Sequence, residues 1–495
     1  MYTDTQNKRL RVSRRDFLKL AGCSALGGLP WLANNLQAKD HPSGRKLNFV
    51  VIMADDMGAA ELACYGNTEH KTPNLDKLAS EGMRFRTCYS TPLCSPTRVM
   101  IMTGRYGFRT GWYNFRSRAG GGPDRPGYKF GKAEKTFADV LKKAGYRTAL
   151  SGKWQLGGKP PELINDCGFD EYRIWAYTQN LPKGLKHTGA WQTKNTPSRY
   201  WHPSILENGN YLPTQTDDYG PDIYTEFLMD FIEHNTNRPF LAYYPMCLPH
   251  TPWDPIPLPE SGGYGKFRTE KNRNYGHKNA YSIPVFTRPG NLKTNVEYMD
   301  YLVGRIVNQL EESNLRENTV IIFTGDNGTH HAGKGIPAEI GVKVPLIVSC
   351  PGTVKSGIVS GELVDLTDIL PTLADFAECP LPKDSEIDGV SLVPTLKVKD
   401  VQHREWIFSY LHERRILRTK NWLLEGDGRF YYCGDSHNFS EYKEMTSSQK
   451  PEAVRARKRF EQILKQLPAP ENLEKDKKLE NRLQKYHEWQ KQGQL

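Results

Sequence analysis

Residues 48–56 read Asn48-Phe49-Val50-Val51-Ile52-Met53-Ala54-Asp55-Asp56. The run 48–53 is too short for a typical helix and rich in branched apolar side chains. It predicts a buried strand that runs straight into a carboxylate pair. Working outward, 74–80 has helical spacing at Leu75, Leu78 and Ala79 and stops at Gly82. A second helix, 136–144, is capped at Thr136 and closed by Gly145. The strand 146–150 follows it and leads into Gly152-Lys153-Trp154. The helix 222–234 precedes a strand, 239–246, that ends in Pro249-His250-Thr251-Pro252. The helix 298–310 precedes a strand, 320–323, that ends in Gly325-Asp326-Asn327-Gly328. Strand and helix alternate, the pattern of an α/β layer fold.

Four predicted strands thus end in a carboxylate pair, a lysine, a histidine and an Asp-Asn pair. Ligands of open α/β sheets bind beyond the carboxyl ends of the strands, so these residues are candidates to meet there. One such ending alone is an ordinary turn.

The chain has 495 residues, enough for two to four domains of roughly 100–200 residues each. Its 10 Trp, 19 Phe and 25 Tyr exclude intrinsic disorder, and nine Cys in this length exclude a disulfide mini-scaffold. There is no uninterrupted apolar run long enough for a transmembrane span in the mature protein. Residues 1–38, with six basic side chains against Asp4 and Asp16, contribute +4 of the net +11. The remaining excess suits an anionic substrate or a merely solvated surface. Outside the leader no dense Lys/Arg tract is interleaved with aromatics, so no nucleic acid is expected as a partner.

Ser13-Arg14-Arg15-Asp16-Phe17-Leu18-Lys19 has the form of a twin-arginine export signal, followed by a short apolar stretch and a cleavage point after Ala38. It predicts the twin-arginine export machinery as a partner and a periplasmic or extracellular location. Leu20-Ala21-Gly22-Cys23 also reads as a lipoprotein box, which would anchor the chain through Cys23. The eight remaining Cys show no zinc-site spacing.

Cys94-Ser95-Pro96-Thr97-Arg98 is the sharpest local feature. Pro96 fits the first turn of a helix with Ser95 as its N-cap, and the helix continues to Thr103-Gly104. Cys94 then lies just before a helix N-terminus, with Arg98 one turn along, as a nucleophile beside an anion site. The alternative for a lone Cys is a buried structural residue.

Cys-x-Pro-x-Arg followed by Thr103-Gly104-Arg105 resembles the signature of the type I sulfatases of the alkaline-phosphatase-like superfamily. The resemblance runs over about 46–424, with its elements in the family's order. It implies a large mixed central sheet flanked by helices over 46–404. A smaller antiparallel α+β subdomain over 405–470 and a charged tail over 471–495 complete the expectation. It also implies a formylglycine made from Cys94 by a maturation enzyme, with a sulfated small molecule or glycan as substrate. Asp55, Asp56, Asp326 and Asn327 match the family's metal ligands, and the modified Cys94 adds an oxygen. That oxygen set suits one Ca²⁺ per chain. Arg98 matches the arginine that holds the formylglycine hydrate. Lys153 and Lys334 match the sulfate-binding lysines, and His250 the histidine near the leaving oxygen. Glu339-Ile340-Gly341-Val342-Lys343-Val344-Pro345 resembles the family's Glu-Gly-Gly-x-Arg-Val-Pro at all but two positions.

One departure stands out. The family reads Gly-Lys-Trp-His-Leu-Gly where this chain has Gln155, and glutamine accepts no proton at neutral pH. His330 or His331 is a candidate for the missing base. The aromatic segment 165–218, with Trp175, Trp191, Trp201 and His202, is a candidate substrate lining or a packed loop. Arg268, Lys271, Arg273 and His277 in 264–289 are candidate contacts to extra sulfates. Three rival readings stay open here: a phosphodiesterase or phosphonate monoester hydrolase with the same motif, a non-catalytic binder of sulfated glycans, and a thiol enzyme.

Overall fold

A computed structural model describes residues 45–492 apart from 115–128, 158–161, 178, 181–198, 216–217, 254–255, 258–286, 289, 399–401, 437 and 470–476. The export signal, Cys23, Trp191 and the basic residues between 268 and 277 lie outside the described residues.

The strand Asn48–Ala54 is buried over its whole length and lies in the middle of an eleven-stranded mixed sheet. Alternate side chains serve two different cores. Phe49, Val51 and Met53 face a layer that includes the helices Cys94–Thr103, Phe137–Lys143 and Ile369–Phe376. Val50, Ile52 and Ala54 face the helices Pro73–Ser80, Gly220–His234 and Leu292–Glu312. A strand covered on both faces has no polar side to show, which is why its sequence is apolar without alternation.

Four neighbouring strands run parallel in the order Thr319–Gly325, Asn48–Ala54, Phe240–Pro245, Arg147–Gly152. In register, Ala54 pairs with Gly325 and Met53 with Pro245. The four strand ends read from the sequence therefore sit side by side. Two glycines allow this close approach. A Cβ on Gly152, whose φ is +123°, would lie 2.2 Å from the Pro245 carbonyl oxygen, and one on Gly325 would lie 2.3 Å from that of Met57. Beyond them the sheet is completed by Glu171–Trp175, Ile205–Glu207 and Asn210–Leu212 on one side. Leu346–Ser349, Met83–Tyr89, Lys343–Val344 and Ile358–Asp365 complete the other.

A second, antiparallel sheet of five strands starts with Trp406–Leu411 and Arg414–Thr419. The helix Pro451–Leu464 packs on it through Phe460, whose ring meets Phe430 edge-on at 5.2 Å. The C-terminal helix Lys477–Lys491 buries Leu479, Leu483 and Tyr486 against Ile336, Ala338 and Leu411. Among the described residues no helix is long and apolar enough to cross a membrane.

Most element boundaries shift by a residue or two from the sequence reading, and three helix starts are informative. The helix Cys94–Thr103 begins two residues earlier, with Leu93 as N-cap and Cys94 in its first turn. Ser95 is not the cap, because Thr91 and Thr97 tie this turn together. Thr91 N donates to Thr97 Oγ1 at 3.0 Å, and Thr97 Oγ1 donates to the Leu93 carbonyl at 3.1 Å. The helix 298–310 extends back to Leu292, where Asn291 and Thr294 form a capping box. The helix 222–234 starts at Gly220.

Candidate active site

Asp55, Asp56, Asp326, Asn327, Arg98, Cys94 and Lys153 are all almost fully buried, a density of charge that a structural core does not tolerate without a purpose. Asp56 sits in the left-handed region at φ 63°, which turns the chain sharply beyond the strand, and its N–H donates to Asp326 Oδ1 at 2.9 Å. Arg98 bridges two of the strand ends. Nη1 donates to the Lys153 carbonyl and Nη2 to Asp326 Oδ2, each at 2.8 Å, and Nη2 also lies 3.6 Å from Asp55. Lys153 Nζ caps both oxygens of Asp55 at 2.7 Å. Lys334 Nζ lies 2.7 Å from Asp56 Oδ2 and 2.9 Å from His250 Nε2.

The Cys94 thiol groups with Asp55 and Asp326, one ligand atom of each lying within 4.8 Å of the others. Asn327 donates from Nδ2 to Asp56 Oδ1 and to the Gly328 carbonyl, while its Oδ1 is buried without a partner among the described residues. Three carboxylates and an unpartnered amide oxygen are the donor set of a hard divalent cation, so the residues present fit Ca²⁺.

Burial opposes ionisation of Asp55 and Asp56, but Lys153 beside the first and Lys334 beside the second outweigh it. Both carboxyls are held well below the usual range. Burial and the neighbouring Asp55 charge push Asp326 up to about 7. Burial, then Arg199 and, among smaller influences, Lys334, drives His250 well below its ordinary value. His250 is therefore a neutral imidazole. Its Nδ1 lies 2.5 Å from the Thr251 carbonyl and acts as donor, leaving Nε2 to accept from Lys334.

The structure brings Cys94, Arg98, Lys153, His250, Lys334, Asp55, Asp56, Asp326 and Asn327 into one chamber. His330 joins them through Nδ1, 3.0 Å from Asp56 Oδ2. His331 stands further out, exposed, with its ring edge-on to Trp253 at 5.0 Å. Gln155, at φ 58°, has its Oε1 buried without a partner and lines a small cavity of about 90 Å³ with Trp175 and Tyr177.

Trp201 and His202 require correction as substrate-lining residues. The Trp201 ring is buried in the core 4.8 Å from the Tyr219 ring, with no face left for a ligand. His202 is buried too, and its Nε2 lies 3.0 Å from the Thr214 carbonyl. The same segment supplies residues the sequence did not single out. Arg199 reaches to 3.7 Å from Asp55 Oδ2 over the face of Trp175, and Tyr177 stacks on that Trp ring. A lone arginine in an aromatic loop carries no periodicity or motif that would have marked it. Glu339 is buried away from the catalytic cluster. It accepts from Tyr89 Oη at 2.8 Å and pairs with Arg418, tying the two sheets together.

A family model described as Sulfatase matches residues 47–379. The chain is 28% identical to human (Homo sapiens) arylsulfatase D over 471 residues, covering 77% of this chain and 74% of that protein. It is 30% identical to rat (Rattus norvegicus) N-acetylgalactosamine-6-sulfatase over 381 residues, covering 70% of this chain and 65% of that protein. A crystal structure of a protein in complex with k-i-k-neocarrahexaose shares the fold with a TM-score of 0.65. Its sequence identity is 24%, over 84% of this chain and 93% of that one.

Proposed function

Because this chain belongs to the sulfatase family and is a sulfuric ester hydrolase, we propose that it removes sulfate from a carbohydrate, using a formylglycine made from Cys94 and one bound Ca²⁺. The observation that carries the reading is the Cys94 thiol set among the Asp55 and Asp326 carboxylates, beside the unpartnered Asn327 oxygen. Similarity to an N-acetylgalactosamine-6-sulfatase favours a sugar over a simple aryl ester.

A sulfate monoester is an anion attacked at sulfur by oxygen, so its charge must be neutralised as the nucleophile closes in. Asp55, Asp56, Asp326 and Asn327 would hold the cation, and a cation there supplies Lewis-acid polarisation of sulfate oxygens. Arg98 fixes the helix turn that presents residue 94. Lys153 at Asp55 and Lys334 at Asp56 bring two further positive charges to the carboxylate cluster. Lys334 is held protonated by Asp56 and donates to His250 Nε2, so the pair holds a proton for the departing alcohol oxygen. A formylglycine hydrate at position 94 would supply one hydroxyl to displace the alcohol from sulfur and a second whose deprotonation would expel sulfate and restore the aldehyde. Gln155 cannot accept that proton. The nearest histidine to the cluster that is not already engaged by Lys334 is His330, at the Asp56 carboxylate.

The twin-arginine signal supports export of the folded, matured protein to the periplasm or beyond, where sulfated polysaccharide is encountered. The test is mass spectrometry of the Cys94 peptide from the exported protein, paired with turnover of sulfate esters. A peptide about 18 Da lighter than the thiol form is expected, with hydrolysis that stops when Ca²⁺ is chelated. An unmodified thiol in protein that still turns over would refute the mechanism.

A further inference from the structure

Arg199 lies in the chamber but is not satisfied by it. Its side chain is 9% exposed, and neither Nε nor Nη1 has a hydrogen-bond partner among the described residues. Nη1 is 3.7 Å from Asp55 Oδ2, beyond hydrogen-bond reach, and Lys153 already takes both Asp55 oxygens at 2.7 Å. A guanidinium this buried loses its hydration, so donors left empty are a standing penalty unless another anion fills them.

The side chain is held in place. Its guanidinium carbon sits 4.8 Å over the Trp175 ring, and Tyr177 stacks against that ring with centroids 3.9 Å apart. The adjoining Tyr200 donates its hydroxyl to the His250 carbonyl, which ties the Arg199 segment to the His250 loop. Tyr177 adopts φ 58°, a conformation that side-chain-bearing residues keep only where their surroundings enforce it. Its hydroxyl is buried without a partner among the described residues, and the charges of Arg98 and Arg199 act on it. Arg199 also depresses the basicity of His250. Two donors of a fixed cation beside Asp55, and the phenol that stacks with it on Trp175, are thus left unfilled among the described residues.

We propose that Arg199 is a substrate-contacting residue of this site, its Nη1 donating to a non-bridging oxygen of the sulfate ester, with the Tyr177 hydroxyl beside it. The proposal rests on the sulfatase reading and adds to it a third fixed positive side chain for the sulfuryl group, beyond Lys153 and Lys334. Charge building on the sulfate oxygens during attack is then met by a donor that needs no reorganisation. The placement also suits a chain with Gln155 where the family has histidine, since a permanent cation compensates for a lost polar contact without supplying a base.

The test uses the full chain co-produced with a maturation enzyme and loaded with Ca²⁺, comparing wild type with Arg199→Met and Arg199→Lys. Three quantities are read: calorimetric affinity for inorganic sulfate, kcat and KM for 4-nitrophenyl sulfate, and the melting temperature. Arg199→Met is expected to weaken sulfate binding about ten- to hundredfold. It should lower kcat/KM at least as much while keeping its Ca²⁺ and melting no earlier than wild type, since an unpaired buried cation has been removed. Arg199→Lys should recover part of both losses, and added guanidinium should partly rescue the Met variant. Unchanged sulfate affinity in Arg199→Met would overturn the proposal, as would loss of activity that merely follows loss of Ca²⁺ and of the fold. Wild type that neither binds sulfate nor cleaves any sulfate ester would instead refute the sulfatase reading, and this proposal with it.

Discussion

Asn327 uses its amide one-sidedly. Among the described residues both of its hydrogen bonds come from Nδ2, to Asp56 Oδ1 at 3.0 Å and the Gly328 carbonyl at 2.9 Å, while Oδ1 is buried with nothing to accept. An amide oxygen so placed is explained by a cation, since no donor is within reach. Asn327→Ala is therefore expected to fold normally and to bind Ca²⁺ at least about tenfold more weakly by titration calorimetry. Equal affinity would remove Asn327 from the ligand set. At this scale the sequence was legible wherever chemistry was concentrated in a short motif. Asp55-Asp56, Asp326-Asn327 and Cys94 to Arg98 announce themselves by adjacency, and the fold brings them together. Arg199 and Tyr177 were not legible, because a single residue in a long aromatic loop acquires meaning only from what the loop packs against. Trp201 misled for the same reason: its ring fills the core against Tyr219 rather than lining the site.

The C-terminal helix Lys477–Lys491 shows what element-level patterning does and does not give. Its charge made it read as a helical or frayed tail; it is helical, and Leu479, Leu483 and Tyr486 form an apolar stripe that buries one face. Tyr486 Oη lies 3.1 Å from Glu425 Oε1, and the Glu339 N–H donates to the same oxygen at 3.0 Å. Burial pushes the Glu425 carboxyl up to about 8. The folded chain therefore holds a proton there that the unfolded chain releases near pH 4.5, so ν_N exceeds ν_U between those values and stability falls as pH rises from about 4.5 to 8. Glu425→Gln keeps an acceptor but cannot ionise. Its melting temperature should match wild type near pH 5 and exceed it at pH 8.5, by an amount worth a few kcal/mol at most, of order. Parallel pH curves for the two proteins would show that Glu425 is ionised in the fold throughout. The strands and helices themselves were legible because their apolar periodicity matches their burial. Their ends were less so, since caps such as Asn291–Thr294 and the Thr91–Thr97 pair depend on contacts that periodicity does not encode.

At the scale of the molecule the question is whether the five-stranded sheet is an appendage or part of the fold. Phe408, Tyr410, Leu417 and Phe430 belong to the same apolar core as Phe49 and Val51 of the central strand. Ile407, Ile416 and Leu423 pack with Tyr89 and Val342 of the main domain. Polar contacts follow the same seam. Ser409 Oγ donates to the Ser90 carbonyl at 2.6 Å, four residues before Cys94, and the Arg418–Glu339–Tyr89 set is buried across it. Each large apolar side chain uncovered forfeits about 1.5–3 kcal/mol, and a whole domain is stable by only about 5–15 kcal/mol. Losing these seven residues together forfeits roughly 10–20 kcal/mol, as much as that whole margin or more. A chain ending at 404 is therefore expected to aggregate rather than yield a folded catalytic domain. A chain ending at 469, which lacks only the last helix, should fold and melt several degrees lower. Full-length protein should melt in a single calorimetric transition, because the cores are shared. Two resolved transitions, or a soluble and Ca²⁺-binding 1–404 fragment, would mean that the small sheet folds on its own and that the Cys94 turn does not depend on it.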